Sequence, residues 1–268
     1  MKELTFSYNE TYKITYQYRE GKRYLLLIHG YLQSSIVWKT FIDHLPPDIG
    51  IIAIDLPGHG GSSLWGDNFF KPLAHAISQL LEHHKIDMIN AVGHSMGGYM
   101  ALEFMRSFPH LVSTVTLLNS TPLPDSEKRA KSRARELQVI NQGRLHLVLN
   151  NHFDRLFAPQ NRERLKDKAQ LYNELAKKIP PKSMHQSVTT MANRGSYTSD
   201  CERTKTPITL IYGEFDELLL IDRVMLCKSI LPKINYVSMN NSGHTPFEEQ
   251  PNETVSVILN TIDWQEIN

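Results

Sequence analysis

Cysteine is nearly absent. Of 268 residues only Cys201 and Cys227 are cysteine, with no CxxC pair and no metal-finger spacing. That excludes a disulfide framework and a cysteine-based metal site, and leaves two free thiols, neither a candidate nucleophile. An excess of one charge is lacking too: 29 Lys and Arg face 28 Asp and Glu, a formal +1. No global field would draw such a chain to nucleic acid or to an anionic membrane surface, so the expected partner is a small-molecule substrate. No stretch approaches the roughly 20 apolar residues that span a bilayer. The opening MKELTFSYNE has no basic-then-apolar secretory run, so the expected location is cytoplasmic. Internal repeats and low-complexity tracts are missing, which sets aside solenoid and disordered organisations.

What is present is 41% hydrophobic composition, enough to bury one sizeable core. Leu4, Phe6 and Tyr8, then Ile14, Tyr16 and Tyr18, recur every second residue, predicting an antiparallel hairpin at a sheet edge. Apolar runs without alternation follow at 24–30, 51–58, 88–95, 115–119 and 208–213, with a sixth at 234–239. Such runs suit strands buried on both faces of a parallel sheet. Helical patterns lie between them at 69–84, 96–107, 221–231 and 248–264. The alternation predicts a doubly wound α/β sheet.

One interval breaks the rhythm. Residues 121–205 contain no core-strand pattern, and instead read as charged amphipathic helices at 125–142 and 161–178 with a shorter stretch around 143–157. The expected organisation is a core domain of 1–120 and 206–268, with a helical cap of 121–205 inserted over the carboxyl edge of the sheet. That interval holds 17 Lys and Arg against 9 Asp and Glu, while the rest of the chain holds 12 against 19. A basic lid would favour an anionic acyl substrate; the alternative is that these charges form solvated helix faces.

Gly93-His94-Ser95-Met96-Gly97 has the form GxSxG and falls between a predicted strand and a predicted helix. A serine there is lifted out at the carboxyl edge of the sheet, beside a helix N-terminus that favours developing negative charge. The alternative is a plain glycine-rich turn whose serine caps the helix. His94 occupies the variable position and reads as structural, as does His29.

A serine hydroxyl needs a neutral imidazole to take its proton, and the imidazole needs a partner to hold its tautomer. His244, in the loop NNSGHTPF after the last predicted strand, is the candidate base. Asp216, in GEFDELL just beyond the strand ITLIYG, is the candidate acid, with Glu217 and Asp222 as alternatives. Two backbone donors for an oxyanion are expected, the N–H of Met96 and that of Tyr31.

Taken together, IHGYLQSSIVW, DLPGHGGSS, VGHSMGG, YGEFDELL and NSGHTPF resemble the α/β-hydrolase superfamily, in order and spacing, over nearly the whole chain. The resemblance implies an eight-stranded sheet, a helical lid after the strand at 115–119, no cofactor, and a triad of Ser95, Asp216 and His244. Serine as nucleophile argues against the haloalkane dehalogenase and epoxide hydrolase branches, which carry aspartate there. DLPGHGGS also resembles the menaquinone-pathway lyases of this fold, but those tend to carry arginine where this chain has Tyr99. The expected activity is a serine hydrolase cleaving a carboxylic ester or related acyl compound through an acyl-enzyme. The alternatives are a thioesterase, a carbon-carbon hydrolase or a lyase using the same residues, and a non-catalytic receptor that has kept the pocket.

Overall fold

A computed structural model describes residues 1–149, 152–153 and 155–262. The hairpin forms as the alternation predicts: β1 (Lys2–Ser7) pairs antiparallel with β2 (Lys13–Arg19). Then come β3 (Arg23–Ile28), α1 (Lys39–Asp43), β4 (Ile49–Ile54), α2 (Phe70–His83), β5 (Ile89–His94), α3 (Met96–Ser107) and β6 (Val112–Leu118). Among the described residues, five α-helices intervene before the sheet resumes: α4 (Glu127–Asn141), α5 (Leu145–Leu149), α6 (Lys166–Ala176), α7 (Pro181–Asn193) and α8 (Thr198–Arg203). The chain closes with β7 (Ile208–Gly213), α9 (Ile221–Ile230), β8 (Asn235–Met239), α10 (Pro246–Glu249) and α11 (Pro251–Thr261).

The eight strands form one sheet in the order β1-β2-β4-β3-β5-β6-β7-β8. Only β2 runs against its neighbours; the other pairings are parallel. Leu25 to Ile28 of β3 and Ile51 to Ile54 of β4 are wholly buried, as expected of strands covered on both faces. On α2, Leu73, Ala76, Ile77, Leu80 and Leu81 are buried, the i, i+3, i+4, i+7, i+8 spacing of an amphipathic helix. Each large side chain buried this way contributes roughly 1.5–3 kcal/mol.

The register decides where the functional loops meet. Ile28 pairs with Ile54 and Gly93, His94 with Leu118, Leu118 with Ile211, and Gly213 with Met239. Six parallel strands therefore end together, and the residues that follow them emerge along one carboxyl edge, where open α/β sheets bind ligands.

Three features differ from the expected pattern. The helix expected over 248–264 is two helices, because Pro251 lacks an N–H and excludes the helical conformation at Gln250, whose φ and ψ are −137° and 63°. Its last two expected residues lie outside the described residues. The expected 161–178 helix is shortened to Lys166–Ala176, and α7, α8 and α1 arise where no helix was expected. Parts of the 143–157 stretch, at 150, 151 and 154, also fall outside the described residues.

Candidate active site

Ser95 stands in the tight turn between β5 and α3, with φ 52° and ψ −112°. A non-glycine residue at positive φ costs of order 1–3 kcal/mol and persists only where its surroundings impose it. Here Ser95 N–H donates to the Leu118 carbonyl (3.0 Å), and the Ser95 carbonyl accepts from Ser120 Oγ (2.7 Å) and Gly98 N–H (3.0 Å). The turn needs glycine at 97, since a Cβ there would lie 2.1 Å from the Ile28 carbonyl oxygen. The Ser95 hydroxyl forms no hydrogen bond to a described residue and faces a cavity of about 690 Å³.

His244 lines the same cavity. Its Nδ1 donates to Asp216 Oδ2 at 2.7 Å, which leaves Nε2 free to accept a proton. The loop carrying it is fixed by His244 N–H donating to the Leu156 carbonyl (2.7 Å) and by Gly243 N–H donating to buried Glu249 Oε1 (2.8 Å). No hydrogen bond joins Ser95 Oγ to the imidazole, a contact that often tightens only when substrate is bound.

Asp216 has a side chain of zero exposure, and such a burial is tolerable only with complete hydrogen bonding. Oδ1 accepts from the Leu218 and Leu219 N–H groups (2.7 and 2.9 Å), and Oδ2 accepts from Asn119 Nδ2 (2.7 Å) as well as from His244. Glu217 instead pairs with Arg155 and Arg162, and Asp222 is exposed on α9. Of the three carboxylates the sequence left open, Asp216 is the one that bonds His244.

Asn119, at the carboxyl end of β6, was not singled out in the sequence. Its Nδ2 also donates to the Gly243 carbonyl (3.0 Å), so one amide links the Asp216 and His244 loops. Glu249 and His152 were missed as well; His152 lines the cavity, and burial together with nearby His244 holds it at about 3. The signal for Asn119 was its place directly after a strand on the functional edge. Nothing in the sequence pointed to the other two.

His94 also lines the cavity. Its Nε2 donates to the His244 carbonyl (2.8 Å), while Nδ1 lies 3.0 Å from Gln33 Oε1, which already accepts from Gly30 N–H. His29 is locked in the core: Nε2 accepts from Leu56 N–H (2.9 Å), Nδ1 donates to the Gly30 carbonyl (2.7 Å), and burial holds it at about 4. The side chain of Tyr31 lines the cavity, and Met96 opens α3. Neither backbone N–H donates to another described group.

Burial pushes both thiols up, Cys201 to about 12, in keeping with free, unreactive cysteines. Among the described residues there is no cluster of metal-ligating side chains and no helix long and apolar enough to cross a membrane.

A model of the alpha/beta hydrolase fold family matches residues 24–251, and the chain belongs to that family and is a hydrolase. A pimeloyl-(acyl-carrier protein) methyl ester esterase of Yersinia pseudotuberculosis is 25% identical over 245 residues, covering 90% of this chain and 93% of its own. Monoacylglycerol lipase ABHD6 of Homo sapiens is 24% identical over 284 residues, covering 96% and 81%. Among solved structures, a thermophilic esterase from Thermogutta terrifontis shares the fold with a TM-score of 0.87 at 21% identity, over 97% of each chain.

Proposed function

We propose that the protein is a serine hydrolase that cleaves a carboxylic ester through an acyl-enzyme, with Ser95 as nucleophile, His244 as general base and Asp216 as the acid that orients it. The observation that carries this reading is the His244 imidazole, held by Asp216 at 2.7 Å in a cavity that Ser95 also lines. The esterase and lipase relatives support the choice of an ester.

In this reading His244 Nε2 takes the Ser95 proton as Oγ attacks the ester carbonyl carbon, and Asp216 stabilises the imidazolium that forms. The carbonyl oxygen becomes an oxyanion facing the N–H groups of Met96 and Tyr31, each worth on the order of a hundredfold in rate. The imidazolium returns its proton to the departing alcohol, and water repeats the sequence on the acyl-enzyme. We also propose that 121–205 acts as a cap: residues from α4, the α5 region and α7 line the cavity above the sheet edge.

A fluorophosphonate probe, followed by mass spectrometry, tests the assignment. The expected result is a single adduct on Ser95, lost in Ser95→Ala together with turnover of nitrophenyl esters. Folded protein that takes no label and turns over no ester would overturn it. Trapping of an acylated Ser95 separates the hydrolase from a lyase, which needs no such intermediate.

A further inference from the structure

The cavity that holds Ser95 and His244 is markedly cationic elsewhere. Among the described residues, seven Lys and Arg line it against three Asp and Glu. Some charges of this region are plain solvated pairs, such as Lys131 with Glu127 and Lys177 with Glu174, all exposed. Three arginines are different: Arg133 and Arg194 are buried, and Arg129, although exposed, lines the cavity.

Arg133 and Arg194 each have a side chain only 2% exposed, and both rest on one carboxylate: Arg133 Nε lies 2.5 Å from Asp125 Oδ2 and Arg194 Nη2 2.7 Å from Asp125 Oδ1. Among the described residues, these two buried guanidinium groups share one ion-paired carboxylate, with Glu136 the other acid near Arg133, and incomplete pairing of buried charge is costly away from water. Arg194 also donates to the Met191 and Leu123 carbonyls, but its Nε is buried without an acceptor among the described residues, and an Arg133 Nη1 contact goes to the Met191 sulfur, a weak acceptor.

Arg129 stands one helical turn before Arg133 on α4 and also lines the cavity, and its guanidinium forms no hydrogen bond or ion pair with a described residue. The residue is exposed as a whole, but crowding around its guanidinium and the Arg133 charge both disfavour its protonated form, with Tyr99, Glu136 and Asp125 only partly offsetting them. Glu136 itself is pushed up by burial. The Tyr31 hydroxyl is buried beside it without a hydrogen bond of good geometry.

This cluster is tied to the nucleophile. Arg194 lies 3.8 Å above the Tyr99 ring, and Tyr99 follows Ser95 by one turn of α3. A turn advances about 5.4 Å, so the cationic wall and the Ser95 hydroxyl lie within reach of one small substrate.

We propose that the cavity selects esters bearing an anionic group, a carboxylate or a phosphate monoester, held by Arg129 with Arg133 and Arg194 behind it while the ester carbonyl sits at Ser95. The inference deepens the serine-hydrolase reading and rests on it. Charge-assisted hydrogen bonds to a guanidinium supply the recognition, and the arriving anion offsets charge that the protein leaves unpaired.

The test compares kcat/KM for three methyl esters of matched chain length, ending in a methyl group, a carboxylate or a phosphate monoester. The expected wild-type preference for an anionic ester over the neutral one is roughly tenfold or more, the scale of a hydrogen bond to a charged group. In Arg129→Gln that ratio falls by about as much, and Arg129→Lys recovers part of it. Lys166→Gln, which removes the same charge from an exposed position outside the cavity, keeps the wild-type ratio. The arm with the larger ratio identifies the anion.

A wild-type ratio near one overturns the inference, as does an equal fall in Lys166→Gln, which would mark a net-charge effect. If the neutral ester is cleaved without anionic preference, only this subsite is lost. If no ester is cleaved and Ser95 takes no fluorophosphonate, the serine-hydrolase reading itself fails.

Discussion

His94 Nε2 donates to the main-chain carbonyl of His244 at 2.8 Å, a bond between residues 150 positions apart. The residue immediately before Ser95 thus braces the loop that carries the imidazole, and the two rings pack with centroids 4.9 Å apart. Burial and the neighbouring His244 hold His94 well below the usual histidine range. A neutral ring has one N–H for the two acceptors it faces, and the shorter contact, to the His244 carbonyl at 2.8 Å against 3.0 Å to Gln33 Oε1, is the donated one.

His94→Gln should loosen that loop without removing any reacting group. The expected result is a fall of about tenfold in kcat and in the rate of Ser95 labelling, with KM little changed, since an unsatisfied buried carbonyl costs about 1–3 kcal/mol. An unchanged labelling rate would mean that the loop holds its position without His94.

Asn119→Ala removes the donor shared by Asp216 Oδ2 and the Gly243 carbonyl. We expect kcat to fall roughly tenfold through misplacement of His244. Asp216→Asn should be far worse, on the order of ten-thousandfold, because an amide stabilises the wrong imidazole tautomer. Steady-state kinetics with melting curves of both variants separates misplacement from unfolding.

Gly97→Ala should destabilise the fold rather than merely slow it. The new methyl would meet the Ile28 carbonyl oxygen at 2.1 Å, backbone against backbone in the sheet core, and overpacking of this kind costs typically 1–3 kcal/mol. Urea unfolding should show a lower midpoint at unchanged slope.

Stability should fall as the solution is made acidic. His29 and His59 are wholly buried and are held by desolvation at about 4 and about 3, against an ordinary 6.5. Above pH 6.5 both rings are neutral whether folded or unfolded, and their neutral form is the one the core accepts. As pH drops through 6.5 the unfolded chain takes up protons that the folded one refuses. Stability is lost until the folded values are reached, about 3 kcal/mol for His29 alone. Denaturation at graded pH should show this slope, and His59→Gln should make it shallower.

The sequence was enough to read the sheet, because fully buried strands must be continuous apolar runs and amphipathic helices must repeat near every 3.6 residues. It was also enough to nominate Ser95, Asp216 and His244, since each follows a strand whose end must fall on one edge. The break at Gln250 is legible too, in Pro251. Helices α7 and α8 were less so: four of the seven residues that α7 buries, Ser183, Gln186, Ser187 and Thr190, are polar, and α8 buries only Cys201.

What only the folded chain decided is which distant groups touch. Glu217, Asp222 and Asp216 are equivalent as letters; the carboxylate on His244 is chosen by the register that aligns β7 with β8 and by Asn119 arriving from β6. The charge of 121–205 likewise had no direction in the sequence. Helix phase and the packing of α4 on α7 buried Arg133 and Arg194, set the exposed Arg129 at the cavity wall and left Lys131 outside it, because electrostatics depends on distance and burial, which a linear order of residues does not contain.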